Sequence, residues 1–261
     1  MIVTSTISGP AGSAPTRPAG TELWASIDVE WTKNYRVRNG NRPFCYSVVY
    51  LAVPTNHDGP VELAGLPWTY TSVYIEDPTE MPALLNAANA AVKTAFTAAD
   101  RVTGHQFTSD LAVLARASDT DLPAVSNARG AWLARREEAI TERQIIDTRY
   151  DTDHVLEGHS RRLVDVATEV GLDVTQPELR GTSMTAIHRQ WIENQSTEAR
   201  ERVSVLNLRH SLSTALVAQL ATGVGRWSAP LNVNRMLAAG LEDAFAWLAH
   251  PTFAALLKDT E

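Results

Sequence analysis

Residues 23–31 read LWASIDVEW, so Leu23, Ala25, Ile27 and Val29 alternate with Trp24, Ser26, Asp28 and Glu30. Strict alternation puts one set on each face of a strand. Asn39-Gly40 follows, a pair suited to a hairpin turn. Then come the nearly continuous apolar run Phe44–Val53 and a third strand pattern at Thr69–Ile75. Three strand segments with short connections predict an antiparallel meander, and the second is too apolar to form an exposed edge.

Beyond the meander the period changes. From Pro78 to about Ala99 the chain is Ala-rich, with Leu84, Leu85, Ala88, Val92 and Phe96 on one helical stripe. Arg101–Gly104 reads as a short strand, Ser109–Ala117 as a helix, 118–128 as a loop, and Ala131–Ala139 as a charged helix or an insertion. Gln144–Thr148 reads as a strand, and Ser160–Val170 as a helix ended by Gly171. Helices are expected near 182–195, 198–222 and 231–257, the last interrupted or kinked at Pro251. A meander followed by strand–helix–strand units gives an α/β fold, a mixed sheet flanked by helices. Pro10, Pro15 and Pro18 with neighbouring Gly, Ser and Thr mark residues 1–21 as a flexible leader. The main domain is expected over 22–228, with a C-terminal helical extension, 229–261, packed on it.

The chain has 261 residues, 44% of them hydrophobic, enough for a full core and too apolar for a disordered protein. Its one cysteine, Cys45, excludes a disulfide scaffold within the chain. No apolar run approaches the roughly 18 residues of a membrane span, and no basic start with an apolar stretch marks a secretory signal. A reducing, cytoplasmic setting with no membrane partner is the expectation. Lys plus Arg is 23 against 30 Asp plus Glu, a net charge of −7. That excludes nonspecific coating of long polyanions. It leaves open an enzyme that grips one strand end, given a basic rim and metal ions to neutralise phosphate.

Asp28 and Glu30 share one strand face. They are either a solvated face or, on a central strand, two carboxylates that repel unless a cation lies between them. Oxygen ligands so placed suit Mg²⁺ or Mn²⁺. Gly104-His105-Gln106-Phe107-Thr108-Ser109-Asp110-Leu111 ends a strand and opens a helix with an acid in its first turn. His210 lies in NLRHSLSTAL, residues 207–216, whose apolar positions include Leu208, Leu212, Ala215 and Leu216. Taken alone, that histidine reads as a packed or surface residue. His154 and His159 lie near Asp151 and Asp153, yet no thiolate or spaced His pair completes a Zn²⁺ site. No P-loop, dinucleotide fingerprint or GxSxG elbow occurs.

In this order and spacing the segments resemble the DEDD superfamily of 3′–5′ exonucleases, on the ribonuclease H-like fold. Asp28-Val29-Glu30 is similar to that family's Asp-x-Glu first motif, GHQFTSDL to its second with Asp110 as the acid, and His210 to the histidine of its His-type branch. HSRRLVDVATEVGL, residues 159–172, also resembles that branch, and the likeness spans roughly residues 23–222. The resemblance implies hydrolysis of phosphodiester bonds at single-stranded DNA or RNA 3′ ends, and carries no oligomeric state. Two ions, Mg²⁺ or Mn²⁺, roughly 4 Å apart would straddle the scissile phosphate. Asp28 would bridge them, Glu30 would hold the first, Asp110 would hold the second, and His210 would take a proton from the attacking water. Trp31, Thr32 and His105 are the candidate substrate contacts; Trp31 either stacks on a base or packs against a helix. Lys33, Arg36, Arg38 and Arg42 are either a phosphate rim or a solvated hairpin.

The family's third motif has an Asp five residues after the His, where this chain has Ala215. Three readings stand open: a substitution where the natural chain has Asp, a degenerate exonuclease that binds without cutting, or another alignment of the last helix, with another acid or a polar residue such as Asn207 in the place. The alternative functions are an inactive exonuclease fold that binds nucleic acid or a protein partner, and an unrelated α/β interaction domain. The last would be favoured if Asp28, Glu30 and Asp110 do not converge.

Overall fold

A computed structural model describes residues 1–32, 40–56, 58–228 and 230–258. Strands β1 (Ile2–Ser5), β2 (Thr21–Thr32), β3 (Arg42–Pro54), β4 (Val61–Glu62), β5 (Trp68–Tyr74), β6 (Arg101–Gly104) and β7 (Ile145–Asp147) alternate with helices after the meander. Six of them form one mixed sheet in the order β1-β5-β3-β2-β6-β7. β2, β3 and β5 pair antiparallel as the sequence predicts, while β6 joins β2 and β7 joins β6 in parallel. The chain is therefore α/β with a mixed sheet. The Asn39-Gly40 turn, Lys33, Arg36 and Arg38 fall wholly or partly outside the described residues. Among the described residues no helix is long and apolar enough to cross a membrane.

The period-2 pattern of β2 sorts its residues between two cores. Leu23, Ala25, Ile27 and Val29 are buried with apolar residues of α1 (Met81–Ala98), α2 (Phe107–Ala117) and α3 (Pro123–Ala134). Trp24 on the opposite face packs in a second core with Val49 and Leu51. After α4 (Leu163–Glu169) and α5 (Met184–Asn194), the 25-residue helix α6 (Thr197–Ala221) covers that second face. Residues on every side of α6 are buried, including Leu206, Leu208, Leu212 and Leu216. The central strand thus has no solvated face along most of its length; Asp28 and Glu30, near its end, are half-buried.

Three expectations change. The segment 1–21 is not a loose leader at its start: Ile2–Ser5 pairs antiparallel with β5, because its β-branched residues meet the open backbone groups of that edge. Residues 118–128 are not all loop. α3 begins at Pro123, where the Asn89 side-chain oxygen accepts from the backbone N–H of Ala124 (3.0 Å) and Val125 (3.3 Å). That cap comes from another helix and leaves no local signal. The last helix is not continuous over 231–257. α7 (Val233–Leu241) stops at Glu242, whose φ is +45°, and short turns carry Trp247 and Phe253 into the second core. The break therefore precedes Pro251.

Candidate functional site

The site forms where β2 passes the end of β6. Ser26 is the last β2 residue in register with β6, opposite Thr103, so Asp28 and Glu30 extend beyond the shorter neighbour. A register shift after Glu30 skips Phe44, and the pairing with β3 resumes at Trp31 opposite Pro43. α2 starts just past β6, with its first backbone N–H groups held by the Asp147 carboxylate at the end of β7: Gln106 at 2.9 Å and Phe107 at 3.0 Å. A carboxylate at a helix N-terminus satisfies orphan donors and the helix dipole together. This fixes the first turn of α2, and so Asp110, beside β2.

Asp28, Glu30 and Asp110 line one cavity of about 500 Å³. Asp110 is buried, and its Oδ2 has no hydrogen-bond partner among the described residues. Burial, then the charges of Asp28, Glu30 and Asp147, raise its pKa well above the usual carboxylate range. An orphaned buried acceptor costs free energy unless something positive or protic meets it. A cation serves that need, and the hard oxygen donors fit Mg²⁺ or Mn²⁺.

α6 brings a further group to the two β2 acids. His210 Nδ1 donates to Glu30 Oε1 at 3.1 Å and lies 3.7 Å from Asp28 Oδ2, and its Nε2 donates to Gln176 Oε1 at 3.0 Å. One ligand atom from each of Asp28, Glu30 and His210 falls within a 4.8 Å cluster. Burial pulls the His210 pKa down, but hydrogen bonds to Asp28 and Glu30 and their charges outweigh it and push it up to about 10. In this arrangement the imidazole is a cation that donates from both nitrogens.

Ala215 does not face the cluster. It is fully buried in the second core with Leu212 and Leu216. Asn207 takes the place beside the acids: its Nδ2 donates to Asp28 Oδ2 at 2.5 Å, and its Oδ1 accepts from Cys45 Sγ at 3.5 Å. Helical geometry accounts for the difference. At about 100° per residue, Asn207 lies about 60° from His210 around the axis and Ala215 about 140°. The side chain beside the acids is thus the Asn207 amide, and residue 215 lies in the second core.

The other candidates divide. Trp31 lines the cavity and also packs against the first core. Thr32 lines a neighbouring cavity, and Arg42 is exposed on that cavity's wall. His105 lines the site, but both ring nitrogens are engaged, with Thr148 Oγ1 and the Arg161 carbonyl at 3.0 Å each, and burial lowers its pKa to about 4. It acts as a neutral brace.

Gln176 escaped sequence reasoning. It is held against His210 by its neighbour Glu178, which forms a buried two-pronged ion pair with Arg209 at 2.8 and 3.1 Å. Arg209 also donates to Asn234 Oδ1 at 2.6 Å, tying α7 to the same point. An Arg directly before a candidate His in a helix pattern was the available signal, but its partner is not local. No protein-family model matches the chain, and no curated protein is similar to it.

Proposed function

We propose that this chain is a metal-dependent 3′–5′ exonuclease on a ribonuclease H-like fold, acting at single-stranded DNA or RNA ends. One observation carries the reading: Asp28 and Glu30 on a central strand share a cavity with the buried Asp110, whose Oδ2 is orphaned among the described residues, and share a ligand-atom cluster with His210 from the covering helix. Asp28, Glu30 and Asp110 would hold divalent cations, and such ions would supply positive charge at the scissile phosphate and lower the pKa of a bound water. Asp110 is fixed by the first turn of α2, so it holds its position without reorganisation. His210 is positioned by Gln176 and Glu30; to accept a proton it would first give up its own Nδ1 proton, for which Glu30 Oε1 is the neighbouring acceptor. Trp31 offers an aromatic face for the terminal base.

A second reading rests on Asn207. An amide beside Asp28 brings no negative charge where a fourth acid would sit, which favours an exonuclease fold that binds a strand and cuts poorly or not at all.

End-labelled single-stranded DNA and RNA with Mn²⁺ or Mg²⁺ test the proposal. Stepwise loss from the 3′ end, abolished by chelation and by Asp110→Asn, is the expected result. Binding without cleavage selects the second reading. Neither binding nor cleavage overturns both.

A further inference from the structure

A second, larger cavity of about 740 Å³ adjoins the site. The two share a wall three times over: Trp31, Asn41 and Arg116 line the first, and their chain neighbours Thr32, Arg42 and Ala117 line the second. Its buried side is apolar, with Phe44, Ile75 and Leu85. His188 completes that side, its ring stacked on Phe44 at 4.0 Å between centroids and 6° between planes. The Tyr74 hydroxyl and His188 Nδ1 are hydrogen-bonded at 2.7 Å, which fixes the ring. Burial lowers the His188 pKa to about 4, so the ring is neutral at physiological pH. The exposed side carries an amide, a carboxylate and hydroxyls, from Asn86, Asp119 and Thr120 among others.

A cavity of this size, apolar within and polar along one edge, has the build of a small-molecule site. Arg42 and Asp119 both lie on the exposed side, so the cavity offers no net positive charge to a phosphate, and its apolar interior takes an uncharged part of the occupant. A planar ring with an exocyclic amino group meets both sides: its face packs on the apolar wall and its amino edge meets Asp119 and Asn86. We propose that this cavity holds an amino-bearing nucleobase (adenine, cytosine or guanine) of the strand whose 3′ end occupies the acid site. The inference rests on the exonuclease reading and adds an upstream base subsite to it.

The test uses the full chain with Mn²⁺ and single-stranded oligonucleotides carrying one abasic residue at the second, third or fourth position from the 3′ end. At one of these positions loss of the base raises KM by roughly tenfold or more, the size of one stacking contact, with kcat little changed. Asn86→Trp, on an exposed position of α1, plugs the cavity mouth. It raises KM for the unmodified strand by a similar factor and removes the sensitivity to the abasic residue. Equal KM at all abasic positions overturns the inference, as does an unchanged KM in Asn86→Trp. If the protein cuts no strand, the exonuclease reading fails separately, and NMR titration with adenosine tests the cavity directly. Shifts confined to residues around Leu85 and His188, absent in Asn86→Trp, support a base site; no shifts there overturn it.

Discussion

Ala215→Asp tests the rotation of α6 about its axis. Ala215 is 0% exposed and lies among Leu212, Leu216 and Val217. An Asp has a pKa of about 3.9 in the unfolded chain, and a buried, unpartnered carboxyl is shifted up by about 3–5 units. Its folded pKa would then be about 7–9, so at pH 7 the folded state holds a proton that the unfolded state has lost. The gap of about 3 units between pH 7 and 3.9 corresponds to about 4 kcal/mol of destabilisation. Burying the neutral carboxyl without a partner adds about 1–3 kcal/mol. The sign follows from the raised pKa: the ionisation part is absent below about pH 4 and grows by about 1.4 kcal/mol per pH unit up to the folded pKa. Urea unfolding of both proteins at pH 5, 6 and 7 measures it. A loss under about 1 kcal/mol at pH 7, or one that does not change with pH, means residue 215 reaches water or a cation. The assignment of Asn207 to the acid cluster would then be wrong.

Asn207→Asp adds an acid beside Asp28, and calorimetry with Mn²⁺ is expected to show affinity rising by about tenfold, the scale on which neighbours of metal ligands act; unchanged affinity would put Asn207 outside the cation site. Glu178→Ala leaves Arg209 charged and buried, so denaturant unfolding is expected to show a loss of about 3–5 kcal/mol; a loss below 1 kcal/mol would show that water replaces the carboxylate. His188, depressed from 6.5 to about 4, takes up its proton on unfolding between those values. Its contribution to stability is therefore whole above pH 6.5 and is lost as pH falls toward 4, by at most about 3 kcal/mol. NMR titration of the ring checks this, and protonation of the folded protein near pH 6 would refute it.

What the sequence made legible was local. The alternation in β2, the apolar β3 and the Gly104 strand end each write their element into a few adjacent residues, and the mixed sheet follows from their order. The first turns of α3 read as loop because their cap is Asn89, which lies in α1. The acids of β2 were legible because period 2 leaves no doubt about which face a residue occupies. The α6 side of the cluster was not, since α6 is buried on all sides and shows no apolar stripe to fix its rotation. A histidine could be found in it, but not which neighbours turn with that histidine toward the acids. Gln176 and the Glu178–Arg209 pair were hidden for the same reason, their partners being set by tertiary packing alone.

The span between the acids and their partners also bears on how the protein is made. Asp28 and Glu30 leave the ribosome early, whereas Asn207 and His210 come about 180 residues later. Until then the emerging chain holds two like charges on what becomes the middle strand of its sheet, with no neutralising neighbour. Settling β2 against β3 before α6 arrives would leave that repulsion uncompensated. The acid cluster is therefore completed late in synthesis, when the covering helix docks. A chain cut short before residue 207 has the carboxylates but not the helix residues that meet them.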